Sequence, residues 1–300
     1  MTSLWLLGLC LGLGAVLGRV GRVPEATAPA LTWWVVNVAL PAMTLALVPA
    51  LTADASLWFL VAPQWLGLVG AALLFGALGP RLGWSRPRTG AVILMAGLAN
   101  TSFVGYPLLE ALRGPGALPL GVVADQVGAF VALSTGGLLI TAAYAPGVAR
   151  GGAGAIVRKL VTFPPLWALV VGLGVGAVGG LPSALHAALL RIGSTLSPLA
   201  LFAVGLRLRP RVTRDQALPL TLALAWKLAL WPAVAWGLGA AAGVGGAVLT
   251  VGVLQAAMAP MITASILAER EQLDPPLARA ILAIGIGLSL ATVAGFDRML

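Results

Sequence analysis

The sequence predicts an all-α polytopic membrane protein, and three observations fix that class. Only 9% of the 300 residues are charged and 60% are hydrophobic, whereas soluble domains carry roughly 25% charged residues. The apolar residues gather in runs of the length a helix needs to cross a bilayer, and the mean hydropathy is +1.01. The basic residues sit in short connections between those runs. That placement is topogenic and unlike the basic, aromatic-interleaved surface that binds nucleic acid. The bilayer is therefore the expected partner, and nucleic acid is not.

Ten runs are expected to span, near 3–20, 27–51, 56–79, 89–111, 117–144, 162–180, 183–207, 217–241, 246–269 and 275–296. The first lacks the positive start of a secretory signal. Its basic residues, Arg19 and Arg22, follow it, so it is expected to be a retained helix rather than a cleaved leader. Connections after odd-numbered runs hold Arg19 and Arg22, then Arg81, Arg86 and Arg88, then Arg150, Arg158 and Lys159. They continue with Arg207, Arg209, Arg211 and Arg214, and end with Arg270 and Arg279, fourteen of the 18 Lys and Arg. Connections after even-numbered runs hold Arg113 and little else. This alternation predicts both termini on the outer side of a cell (inner) membrane. Trp33, Trp34, Trp58, Trp84 and Trp167 fall near run ends, where an aromatic belt belongs.

Reactive constellations are missing. One cysteine excludes an intrachain disulfide, and one His beside it gives no basis for a metal site. There is no Walker loop, HExxH motif or nucleophile elbow. Neither an enzyme nor a cofactor is expected.

The first and sixth runs are both Gly-rich and close on a Gly-containing turn followed by Pro. The second has "VNVALPAMTLAL" and the seventh "GSTLSPLALFAVGL", each with a Pro following polar residues. The fourth contains "LANTSFVGYPLLEAL" and the ninth "LQAAMAPMITASILAERE". These matches predict two repeats of five spans, 1–148 and 149–300, within one membrane domain. An odd number of spans makes the second repeat run the opposite way through the membrane, as in secondary transporters.

Polar residues, Gly and Pro inside such runs need a reason. Backbone groups freed by an interrupted helix are tolerated in hydrocarbon only where protein or a wet cavity satisfies them. Pro107 removes a donor and crowds the preceding turn, and Pro260 is expected to do the same in the ninth run, with Thr263 and Ser265 nearby. Paired broken helices point to a midplane binding site.

"LANTSFVGYPLLEALRG" followed by "DQVGAF" resembles the signature of the auxin efflux carrier family, whose fourth span typically reads N-T-G-F-x-G-x-P-L. Ser102 stands where Gly is usual. "PLWALVVGLGVGAVGGLP" and "LRIGSTLSPLALFAVGLRL" are similar to that family's second half, so the likeness covers nearly the whole chain. The resemblance implies ten transmembrane helices in two inverted five-helix repeats, with helices four and nine broken and crossing at the substrate site. It also implies export or exchange of small organic anions without ATP, within a fold related to sodium-coupled bile-acid symporters. The long hydrophilic loop of plant auxin carriers is absent.

Expected substrate-binding residues are Asn100, Thr101, Ser102, Gly105 and Pro107, with Met258, Pro260, Met261 and Thr263. An amide at Asn100 suits either a carboxylate or a freed backbone carbonyl. Asp125 and Gln126 lie in the fifth run, where an intramembrane acid is a functional candidate by default. Asp125 is a candidate for proton or sodium coupling, or the partner of a helix end. Lys227, deep in the eighth run, is expected to pair with Asp125, attract an anion or snorkel along its stem. Arg207 and its neighbours read as a topogenic loop, His186 as a surface residue, and Glu110 and Arg113 as partners of each other. Small-residue faces of the first and sixth runs would permit a homodimer. A sodium-coupled symporter, a cation/proton antiporter and a non-transporting receptor are the rival functions.

Overall fold

The computed structural model describes residues 2–21, 23–51, 54–146, 154, 158, 161–207 and 212–300, and those residues form helices and turns with no strand. Arg22, Arg150, Lys159, Arg209 and Arg211 lie outside the described residues, as does most of the junction between the two expected repeats. In chain order the helices are α1 (Thr2–Val20), α2 (Thr27–Ala50), α3 (Ala55–Arg81), α4 (Arg86–Gly97) and α5 (Gly105–Arg113). They continue as α6 (Pro115–Tyr144), α7 (Pro164–Ala177), α8 (Ser183–Arg207) and α9 (Arg214–Ala241). The last three are α10 (Gly246–Ala257), α11 (Ile262–Arg270) and α12 (Pro275–Met299).

Six of them, α2, α3, α6, α8, α9 and α12, are long and apolar enough to cross a membrane, and α1, α7 and α10 contribute shorter apolar stretches. The fourth and ninth expected spans each appear as two helices, α4 with α5 and α10 with α11. Local chemistry sets several ends. Ser85 accepts from the Arg88 amide and Pro87 opens α4, since Pro suits a first turn whose amides lack partners anyway. Gly114 ends α5 at φ +79°, a left-handed conformation that costs glycine little. Asp274 caps α12 by accepting from Leu277, with two prolines in its first turn.

Packing divides the helices into two bundles. α1 and α2 lie chiefly on α7 and α8, whereas α3 to α6 pack with α9 to α12. The α1–α8 contact is a backbone approach: a Cβ on Gly14 would stand 2.4 Å from the Phe202 carbonyl, and one on Gly205 would stand 2.4 Å from that of Leu11. Gly176 of α7 meets the Pro49 backbone of α2 in the same way, and Gly172 packs against the Val48 side chain. Of the glycines expected to serve a dimer, Gly14, Gly18, Gly172 and Gly176 are used within the chain, whereas Gly8, Gly12 and Gly174 meet nothing within 4 Å. In hydrocarbon, such small-residue contacts replace the hydrophobic drive that water would supply.

Ionic contacts gather at the two ends of the helices. Arg88 joins the start of α4 to Asp215 at 2.7 Å and to Asp274 at 2.8 Å, linking the starts of α9 and α12. Arg86 donates to the Ala143 carbonyl at the end of α6. At the far end Arg113 of α5 meets Asp297 of α12 at 2.5 Å. Arg113 therefore pairs with Asp297 and not with Glu110, because the last turn of α12 delivers a carboxylate to it from the other half of the chain. Trp33, Trp34, Trp58 and Trp167 are exposed, while Trp84 stacks on Phe75.

Candidate polar crossing and its vestibule

The two interruptions are built into each other. After α4, Leu98–Asn100 runs extended beside Ala259–Met261, which follows α10, and Ala99 and Pro260 form an antiparallel bridge. The Asn100 amide donates to the Ala259 carbonyl at 2.8 Å, and the Met261 amide donates to the Leu98 carbonyl at 3.1 Å. Each break thereby supplies what the other lacks, the condition for leaving a helix inside a membrane. Pro260 lies in the break, where its missing amide costs no helical hydrogen bond, and its ring is seated on Gly285 of α12. A Cβ there would come within 2.5 Å of the ring.

The fourth span breaks upstream of where its proline suggested. Pro107 stands in the first turn of α5, a position proline tolerates, and the break spans Leu98–Val104. Asn100 ends the disruption: its Oδ1 accepts from the amides of Phe103 and Val104 at 3.2 and 3.3 Å. Its Nδ2 is buried with no partner. The side chain thus closes the turn ahead of α5 with one atom and leaves donors free on the other.

Around this turn lies a buried polar cluster. Thr101 and Tyr106 donate their hydroxyls to the two oxygens of Asp125, at 2.5 and 3.0 Å. Asp125 is 3% exposed and has no ion-pair partner among the described residues. It sits with Gln126 in a widened turn, Ala124–Ala129, the kind of helix irregularity that recurs at functional sites. Gln126 donates to Thr44 of α2 at 2.6 Å, bridging the two bundles. Gly105 has Gln255 against it: a Cβ would stand 2.6 Å from Gln255 Oε1 and 3.0 Å from the Asn100 carbonyl. Gln255 donates to the Thr101 carbonyl at 3.3 Å, reaching from α10 into the break of the other half. Its sequence signal is an amide two turns inside an apolar run, less conspicuous than the neighbouring methionines.

Of the remaining expected residues, Met258 and Met261 are buried at the second break. Ser102 is partly buried. Thr263 is exposed and faces away from the crossing, whereas Ser265 is 1% exposed with an unpartnered Oγ. Lys227 neither snorkels nor meets Asp125. It is 1% exposed, and its Nζ donates to the Ala256 carbonyl at 2.8 Å, in the last turn of α10.

A cavity of about 740 Å³ opens between the bundles, at the helix ends that carry Arg88 and Arg279. Leu206 and Arg207 of α8 form one wall, and Ile262, Ser265, Glu269 and Arg279 of α11 and α12 line the other. Its floor is Ile262, the first residue after the second break. Ile262 and Arg207 also line two separate voids of about 10 Å³, beside Val204, Ile286 and Phe103, each with room for roughly one water. Phe103 is the residue whose amide donates to Asn100.

The chain matches the membrane transport protein family over residues 4–296. A protein of Methanothermobacter thermautotrophicus (strain Delta H), described as an uncharacterized transporter, is 27% identical over 286 residues, which cover 94% of this chain and 92% of that protein. With apolar helices long enough to cross a bilayer, the chain is a multi-pass membrane protein belonging to the membrane transport protein family, that of the auxin efflux carriers.

Proposed function

We propose that this protein is a secondary carrier of small organic anions such as carboxylates. It works by alternating access, in ten spans arranged as two inverted repeats, 1–148 and 149–300. The single observation that carries this reading is the mutual pairing of the two breaks, Asn100 with Ala259 and Met261 with Leu98. Each break is followed at once by the N-terminus of a helix, α5 at Gly105 and α11 at Ile262. Helix N-termini carry partial positive charge, and the free Nδ2 of Asn100 adds donors beside them. A carboxylate is the ligand such a set favours.

The division into two bundles supports the movement. A vestibule between them stops short of Asn100, and a shift of one bundle against the other would connect them. Asp125 is the coupling candidate, because its two oxygens are held by the break through Thr101 and by α5 through Tyr106. The arginine-bearing ends would face the cytoplasm and both termini the outside, in an inner membrane.

The test is uptake of labelled malate into proteoliposomes, with and without a pH gradient, for wild type and Asn100→Asp. Aspartate keeps an oxygen for the Phe103 and Val104 amides but replaces the free donors with negative charge. Losing hydrogen bonds to a charged ligand is worth about 1.5–3 kcal/mol, so uptake per folded molecule should fall at least tenfold, with some loss of melting temperature because a carboxylate is buried in place of an amide. Undiminished uptake in Asn100→Asp would remove the break as the substrate site. If folded wild type takes up no carboxylate, the rival cation-coupled and receptor functions gain.

A further inference from the structure

Building on the organic-anion function proposed above, we propose that Arg207 is the residue that recognises the charged end of the substrate at the mouth of the vestibule. Its place in the fold is unusual for a topogenic arginine. It is the last residue of α8, is half-buried, and lines the main cavity, both small voids next to it, and a further cavity beside α1. The vestibule and the two voids next to it therefore share this one side chain.

Its charge is also not closed by an ion pair. Among the described residues, no carboxylate lies within the 4.0 Å of an ion pair with Arg207. Glu269, across the cavity, is engaged by Arg279 at 3.4 Å. The lining thus contains two guanidiniums and one carboxylate, and the unpaired cation is the one on the opposite bundle from the pair. A half-buried guanidinium whose nearest carboxylate, Glu269, is already engaged by Arg279 can take a further anion, and its planar fork fits a carboxylate with two parallel hydrogen bonds.

A second feature points to a ligand in the same place. Ser265, 1% exposed and lining this cavity, has an Oγ with no hydrogen-bond partner. A molecule with a carboxylate on Arg207 and a polar group on Ser265 would span the vestibule from α8 to α11. Its remaining surface would rest on Leu206, Ile262, Ile266 and Leu282. That lining suits an anion with an apolar body, and the contact across both bundles would make its occupancy sensitive to their relative position.

The experiment is equilibrium binding to protein in phosphatidylcholine nanodiscs, using indole-3-acetate and its uncharged amide, with malate and malamide as a smaller pair. Wild type should prefer each acid over its amide. Arg207→Gln should weaken binding of the acids about ten- to a hundredfold and leave the amides within about twofold, removing the preference. Arg207→Lys, which keeps the charge without the fork, should restore part of it. Equal losses for acid and amide, or an unchanged preference, would overturn the proposal while leaving a carrier standing. Phosphatidylglycerol that displaces the acids from wild type but not from Arg207→Gln would assign the guanidinium to a lipid phosphate and also overturn it. Acids that bind with the expected preference but are never taken up by proteoliposomes would sink the carrier function and leave the Arg207 site intact. Wild type that binds neither acid would remove both.

Discussion

The Lys227 ammonium and the Ala256 carbonyl form a buried hydrogen bond of 2.8 Å, and this joins a cation to the end of the helix that leads into the second break. Ala256 lies one residue before the end of α10, where carbonyls lack helical partners and the helix carries partial negative charge. Burying an ammonium is costly. The lysine therefore sits in an expensive place with a single neutral acceptor, an arrangement better suited to setting the break than to stabilising the fold.

Lys227→Met should separate those two roles. Methionine keeps the stem and removes the buried charge, so the melting temperature in detergent should stay level or rise. Uptake of malate should fall at least about tenfold, because the end of α10 loses its complementing cation. A large drop in melting temperature with uptake retained per folded molecule would make the lysine a structural anchor.

Gly205→Ala should loosen α1 from α8. The new Cβ would meet the Leu11 carbonyl, the Ala15 nitrogen and the Gly14 Cα within 2.9 Å, all of them backbone, so no side chain can swing aside. Overpacking of this kind costs about 1–3 kcal/mol. Gly8→Ala in the same α1 helix, with nothing within 4 Å of the added carbon, should be silent. Thermal unfolding of both variants is the check, and equal melting points would refute the close approach.

Asp297→Asn should lower stability by about 1 kcal/mol, the upper end for a partly exposed ion pair, and Glu110→Gln should not. The contrast follows from Arg113, which reaches Asp297 through both its side-chain oxygen and its backbone carbonyl. The reverse ranking in a thermal melt would restore the Glu110–Arg113 pair that sequence proximity suggested.

What the sequence could say was bounded by range. Runs of apolar residues locate helices because span length is a local property, and the helices fall where the runs do. Asn100 and Pro260 marked the breaks, since polar residues and prolines inside such runs stand out one by one. Pro107 misplaced the first break because a proline that ends one helix and a proline that opens the next look alike in a string. Partners were out of reach for the same reason. Nothing near Lys227 names Ala256, nothing near Arg113 names Asp297, and Gln255 gains its meaning only beside Thr101. Arg207 reads as topogenic because its neighbours in sequence are arginines, whereas its neighbours in space are the walls of a cavity.

The hydrogen bonds between the breaks also constrain how the chain is made. Asn100 is synthesised on the order of 160 residues before Ala259, about ten to thirty seconds at ordinary elongation rates. Through that interval the Asn100 amide and the Leu98 carbonyl have no partner, since both partners belong to the second break. Lipid offers none. The first half must therefore wait in a sheltered, hydrated setting at the insertion machinery, or keep its fourth span continuous and break it when α10 arrives. Either way, birth order is written into the crossing: the later half completes the earlier one, and a truncated first half expressed alone cannot form the paired break.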